Sequence, residues 1–135
     1  MRKVLVFGTF DGLHSGHLNL FRQAKKHGNY LVVVVARDAT VNKIKNNLPL
    51  KNEKKRLREI RKCKLVNKAV LGHKNNPYWI IKEINPDVIC LGYDQKVFTE
   101  NLSKELEKIG LKIKIYRMKP YKPERFHSVI ISKTK

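Results

Sequence analysis

The chain has 135 residues and a mass of 15.8 kDa, the length of one domain rather than two. Apolar residues make up 41% and charged residues 30%, a globular balance, while 30 Lys and Arg against 11 Asp and Glu give a net charge of +19 and a pI near 10.2. So basic a chain attracts polyanions, which brings nucleic acid or an acidic membrane surface forward first. The longest apolar run, Tyr30 to Ala36, is seven residues, against the about 20 that a membrane span needs. Only four apolar residues stand between Lys3 and Gly8, so no secretory signal is expected. Cys63 and Cys90 cannot build a disulfide framework or a paired-cysteine zinc site. Two reduced thiols in a cytoplasmic protein are expected.

Taken in order, Lys3 to Gly8 is a β-branched run ending at glycine, and reads as a first strand. Ser15 to His27 carries Leu18, Leu20, Phe21 and Ala24 at helical spacing, with Ser15 as candidate N-cap and Gly28-Asn29 as the stop. Tyr30 to Ala36 is apolar throughout, as a strand covered on both faces must be. Glu53 to Cys63 reads as a basic helix and Lys68 to Gly72 as a third strand. Pro77 opens a helix through Ile84, with Tyr78 and Trp79 read as core or a subunit contact. Asp87 to Gly92 is a fourth strand, Asn101 to Ile109 a helix, and Leu111 to Arg117 a fifth strand. The alternation predicts an α/β fold: one Rossmann-like domain over residues 1–135, with a parallel five-stranded sheet and helices on both faces. Ligands of such sheets bind beyond the carboxyl ends of the strands, where the strand order reverses.

The turn after the first strand reads Gly8-Thr9-Phe10-Asp11-Gly12-Leu13-His14-Ser15-Gly16-His17. Gly8 and Gly16 allow close backbone approach. Free N–H groups at a helix start carry about half a positive charge and favour phosphate. His14 and His17, three apart, face one side if the turn is already helical. Two imidazole donors there can stabilise charge on a phosphoryl group in its transition state.

This segment resembles the HxGH signature of the nucleotidyltransferase superfamily that includes cytidylyltransferases and adenylyltransferases. Further segments narrow the resemblance: Ala36-Arg37-Asp38, Glu53-Lys54-Lys55-Arg56, Leu91-Gly92-Tyr93-Asp94-Gln95, and Lys119 to Ser128. Together these are most similar to archaeal-type FAD synthases, from Lys3 to about Ile131. The resemblance implies transfer of AMP from ATP to FMN, with pyrophosphate leaving and no covalent intermediate. It implies that Thr9 and Phe10 line the nucleotide through backbone and hydroxyl contacts, together with Ser15 and Gly16. His14 and His17 would hold its phosphates, while Arg56 and Lys45, the latter as a flexible-loop lysine, would bind the triphosphate or pyrophosphate. Asp94 would accept from ribose or base, Tyr121 would stack on adenine or flavin, and Ser128 would supply a phosphate hydroxyl. Mg²⁺ or another divalent cation is implied, held mostly by phosphate and water because acidic residues are few. Dimers are common in similar enzymes, which leaves a homodimer open.

Two other readings compete. One keeps the fold and transfers CMP to glycerol 3-phosphate or a similar small phosphorylated alcohol. The other is a basic nucleic-acid-binding module, but between Phe21 and Tyr78 the only aromatic is Tyr30, in a strand. Polynucleotide affinity is then expected to be weak and salt-dependent, with no specific nucleic acid partner. From Lys43 to Lys68 eleven Lys or Arg face two Glu, +9 of the +19. Arg58, Arg61, Lys62 and Lys64 within it are read as a solvated helix face.

Overall fold

The structure, a computed structural model, describes residues 1–73, 78–92 and 102–119, and of residues 43–45 the backbone alone. Its elements are β1 (Lys3–Gly8), α1 (Ser15–Ala24), β2 (Tyr30–Val35), α2 (Asp38–Lys45), α3 (Glu53–Arg61), β3 (Lys68–Leu71), α4 (Trp79–Ile84), β4 (Val88–Leu91), α5 (Leu102–Lys108) and β5 (Lys114–Arg117). The five strands form one sheet in the order β3-β2-β1-β4-β5, and every pair is parallel. Order reverses between β1 and β4, so the crevice for a ligand opens beyond the carboxyl ends of those two strands.

The alternation of side chains along β1 and β2 divides the core into two layers. Val4, Val6, Leu31, Val33 and Val35 pack with Phe21 and Ala24 of α1 and Ile60 of α3. Leu5, Phe7, Val32 and Val34 pack with Ile80 and Ile81 of α4 and Leu102 and Leu106 of α5. Both faces are thus covered, and the expected α/β architecture is the observed one.

Three details differ from the sequence reading. Asp38–Lys45 is a helix where no helix was expected, since its two apolar residues besides Ala39 give little periodic signal. Trp79 is 59% exposed and so is not core. The α1 helix ends at Ala24 and passes through a 3₁₀ turn, Lys25–His27, before Gly28. The expected opening of α4 by Pro77 lies outside the described residues.

Gly28 stops this segment for a reason other than chain reversal, because its φ of −179° is ordinary extended backbone. A Cβ there would lie 2.5 Å from the Arg2 carbonyl oxygen and 2.5 Å from Val4 Cγ2. That carbonyl cannot retreat, because it accepts from the N–H groups of Asn29 at 3.0 Å and Tyr30 at 3.2 Å. Gly28→Ala is therefore expected to lower the unfolding free energy by about 1–3 kcal/mol, the usual cost of overpacking. Urea denaturation of the two proteins measures it.

Candidate active site

The loop between β1 and α1 is built around two rings that occupy the space of missing Cβ atoms. Phe10 has φ +53°, a left-handed conformation uncommon for a non-glycine residue. This turns its ring back under Gly8, where a Cβ would lie 2.5 Å from Phe10 Cζ. The ring is 4% exposed and meets Phe21 at 5.5 Å and the edge of His17 at 5.0 Å between centroids. Gly12 completes the turn with φ +96°, open to glycine at little cost. Gly16 is glycine for the sake of His14, whose ring Cε1 would lie 2.9 Å from a Cβ at that position.

His14, not Ser15, is the N-cap of α1. Its Nδ1 accepts from the Gly16 N–H at 3.0 Å, and His17 Nδ1 accepts from the His14 N–H at 3.3 Å. The two side chains thus form a reciprocal cap, the role usually taken by Ser or Thr with Glu. A nitrogen that accepts cannot carry a proton, so each ring is a neutral tautomer with its proton on Nε2. The rings stack at 3.9 Å between centroids and 23° between planes, so the two Nε2–H donors belong to one paired unit. Because the Gly16 N–H is taken by His14 Nδ1 and the His17 N–H by the His14 carbonyl, the expected free helix-start donors at these residues are replaced by imidazole N–H groups. Burial, and then the neighbouring His14, push the pKa of His17 down to about 4.

Around this loop lies a layer of charged side chains that hold backbone. Asp11 accepts from the N–H groups of Leu50 at 2.7 Å and Lys51 at 2.9 Å. Burial works to raise its pKa, but these two bonds, with Arg56 and Lys51 nearby, outweigh it and keep the carboxyl below its ordinary value. Arg56 is fully buried. Its guanidinium donates to the Thr9 carbonyl at 2.8 Å, the Lys51 carbonyl at 3.0 Å and Asp38 Oδ1 at 2.7 Å. Three residues earlier on α3, Glu53 accepts from the Asp38 N–H at 2.8 Å and from Arg37 Nη1 at 3.1 Å. Arg37 Nε in turn donates to the Gly72 carbonyl at 2.7 Å.

Several sequence expectations change here. Arg56 is not presented to a triphosphate, since its side chain is shielded from solvent and bound to protein oxygens. The ring of Phe10 lies in the core, leaving its backbone as the part that faces the loop. Thr9 is half-buried, while His14 and Ser15 are exposed. Lys45 is the last residue of α2 rather than part of a flexible loop, because α2 continues until Asn46 takes a left-handed φ of 57°. Asp94, Tyr121 and Ser128 lie outside the described residues. Arg58, Arg61, Lys62 and Lys64 are exposed as expected. Sequence reasoning missed Asp11, Asp38 and Glu53 as loop anchors, although the spacing of Glu53 and Arg56, one turn apart on one helix face, was a usable signal.

The low pKa of His17 fixes the sign of a pH effect. The unfolded chain takes up a proton near 6.5 and the folded chain only near 4. Stability from neutral His17 is therefore fully present above pH 6.5 and is lost progressively as pH falls towards 4. His17→Asn keeps an acceptor for the His14 N–H but does not titrate. Its thermal midpoint is expected to fall less steeply than that of the wild type between pH 6.5 and 4.

Comparison with known proteins follows the same line. The sequence model of the family described as Cytidylyltransferase-like matches residues 5–134. A protein named FAD synthase from Aciduliprofundum boonei is 45% identical over 121 residues, covering 90% of this chain and 80% of its own length. Another named FAD synthase, from Methanosarcina mazei, is 45% identical over 119 residues, covering 87% of this chain and 77% of its own. A solved structure described as the lipopolysaccharide core biosynthesis protein of Thermoplasma volcanium superposes with a TM-score of 0.84 at 40% identity, covering 90% of this chain and 99% of that one. With the family match spanning nearly its whole length, and its paired histidines standing at the start of α1 above a parallel sheet, this chain belongs to the cytidylyltransferase-like family of nucleotidyltransferases.

Proposed function

We propose that the protein is an FMN adenylyltransferase, joining ATP and FMN to give FAD and pyrophosphate. The observation that carries this reading is identity of 40–45% with archaeal proteins named FAD synthase over about 90% of the chain. The paired histidines supply its chemistry. A phosphate oxygen of FMN attacks the α-phosphorus of ATP, and the bond from that phosphorus to the bridging oxygen of pyrophosphate breaks. Negative charge grows on the α-phosphoryl oxygens and on the leaving oxygen as it does so. The Nε2–H groups of His14 and His17 donate to those oxygens, held ready by their Nδ1 bonds to backbone. Because the donors are already oriented, little reorganisation is needed at the transition state. No side chain forms a bond to the substrate, so catalysis consists of positioning and charge stabilisation.

Lys45, at the end of α2, is proposed to reach the β- and γ-phosphates. Asp94 is proposed as acceptor for ribose or base, Tyr121 as the ring over adenine or flavin, and Ser128 as a phosphate hydroxyl. Among the described residues no group of three or more His, Cys, Asp or Glu could hold a metal. Mg²⁺ or another divalent cation is proposed to arrive with ATP, screening the triphosphate. A cytoplasmic setting is part of the same proposal; no helix among the described residues is long and apolar enough to cross a membrane. A homodimer belongs to the same proposal, with exposed Trp79 as its candidate contact.

Pyrophosphate release from two substrate pairs tests the reaction. With Mg²⁺, ATP and FMN are expected to give FAD and stoichiometric pyrophosphate, and CTP with glycerol 3-phosphate to give neither CDP-glycerol nor pyrophosphate. The opposite pattern assigns the chain to cytidylyl transfer. His14→Ala and His17→Ala are each expected to lower kcat by about 10²–10³-fold, the usual effect of deleting one preorganised donor. Near-normal turnover in either variant removes that histidine from the chemistry.

A further inference from the structure

Arg56 is the largest fully buried side chain among the described residues and the only buried polar or charged one, yet none of its partners belongs to its own helix. The three oxygens it holds come from three separate segments at the carboxyl end of the sheet. Thr9 opens the loop after β1, Asp38 opens α2 after β2, and Lys51 ends the connection into α3. The bond to Thr9 acts directly on the histidines. The Thr9 carbonyl belongs to the peptide group shared with Phe10, whose left-handed φ of 53° directs its ring against His17. Fixing that peptide plane therefore fixes the wall on which His17 rests. The bond to Asp38 holds the first residue of α2, the helix that carries Lys45 at its other end. The Asp38 side chain is 31% exposed while that of Arg56 is wholly covered, so the guanidinium sits beneath the loops.

We infer that Arg56 is a positioning residue, acting on the reaction through the Thr9–Phe10 peptide and the start of α2 rather than by touching nucleotide. The inference rests on the adenylyltransferase reading for its kinetic test, but its structural test does not. A planar guanidinium reaches three oxygens in fixed directions, whereas an ammonium is a point charge on a flexible stem. Arg56→Lys thus keeps the charge and loses the fork.

The experiment compares wild type and Arg56→Lys in two readouts: steady-state FAD synthesis at varied ATP, and the titration of the His17 ring followed by NMR. Positioning predicts that kcat falls by about 10- to 100-fold, as small misplacements at reacting groups do, with KM for ATP changing much less than kcat. It also predicts that the His17 midpoint moves from about 4 towards its ordinary 6.5 as the wall behind the ring loosens. A direct phosphate ligand predicts the reverse, a raised KM with kcat and the His17 titration unchanged, and that result overturns the inference. If Arg56→Lys fails to fold, Asp38→Asn removes the charge of one of the three partners and is read in the same way, with a smaller fall in kcat expected. Should the wild type make no FAD, the functional reading fails, and the His17 titration alone still decides the role of Arg56.

Discussion

The start of α1 has backbone N–H groups that no earlier turn of helix can satisfy, and the chain meets that requirement with imidazole nitrogens. His14 caps Gly16 and His17 caps His14, so the same two bonds that begin the helix set both rings in the Nε2–H tautomer. Folding and chemistry are linked at this point. A serine cap would satisfy the helix equally well but would leave no aromatic donor beyond it. The spacing of the motif follows from the same geometry: Gly16 is bare because the His14 ring lies over it, and Gly8 is bare because the Phe10 ring lies under it.

A second layer keeps this arrangement from relaxing. The loop turns through Phe10, a non-glycine residue with a φ of +53°, and such backbone persists only where its surroundings hold it. Asp11 holds the loop from one side by accepting from Leu50 and Lys51, and Arg56 holds it from beneath through the Thr9 carbonyl. Glu53 and Arg37 extend the same frame to the start of α2 and the end of β3. Removing any of the oxygens that Arg56 holds leaves its covered guanidinium with part of its charge uncompensated, which lowers stability. The frame is accordingly coupled to the stability of the whole carboxyl end of the sheet.

The strands were legible because parallel strands covered on both faces are apolar without interruption, as Tyr30 to Ala36 shows. The histidines were legible because their glycines stand where a strand hands over to a helix. The role of Arg56 was not. On a helix with Lys54, Lys55, Arg58 and Arg61 beside it, its spacing from Glu53 and Ile60 places Arg56 on the inner face, but only the rotation of α3 against the sheet shows that it meets three loops. A serine hydroxyl is the commoner cap, so the sequence favours Ser15, whereas the imidazole of His14 takes that place in the fold. The charge of +19 likewise divides once burial is known. Lys54, Lys55, Arg58, Arg61, Lys62 and Lys64 are exposed and raise the general attraction for anions. Arg56 supplies structure, and Arg37 supplies a link between loops.

The most direct test is the protonation pattern of the two rings at pH 7, read from long-range proton–nitrogen correlations of ¹⁵N-labelled histidine. Both His14 and His17 are expected to show an unprotonated Nδ1 and a protonated Nε2. A proton on Nδ1 of either ring, alone or as part of an imidazolium, would break the reciprocal cap and contradict the assignment of a paired set of Nε2–H donors.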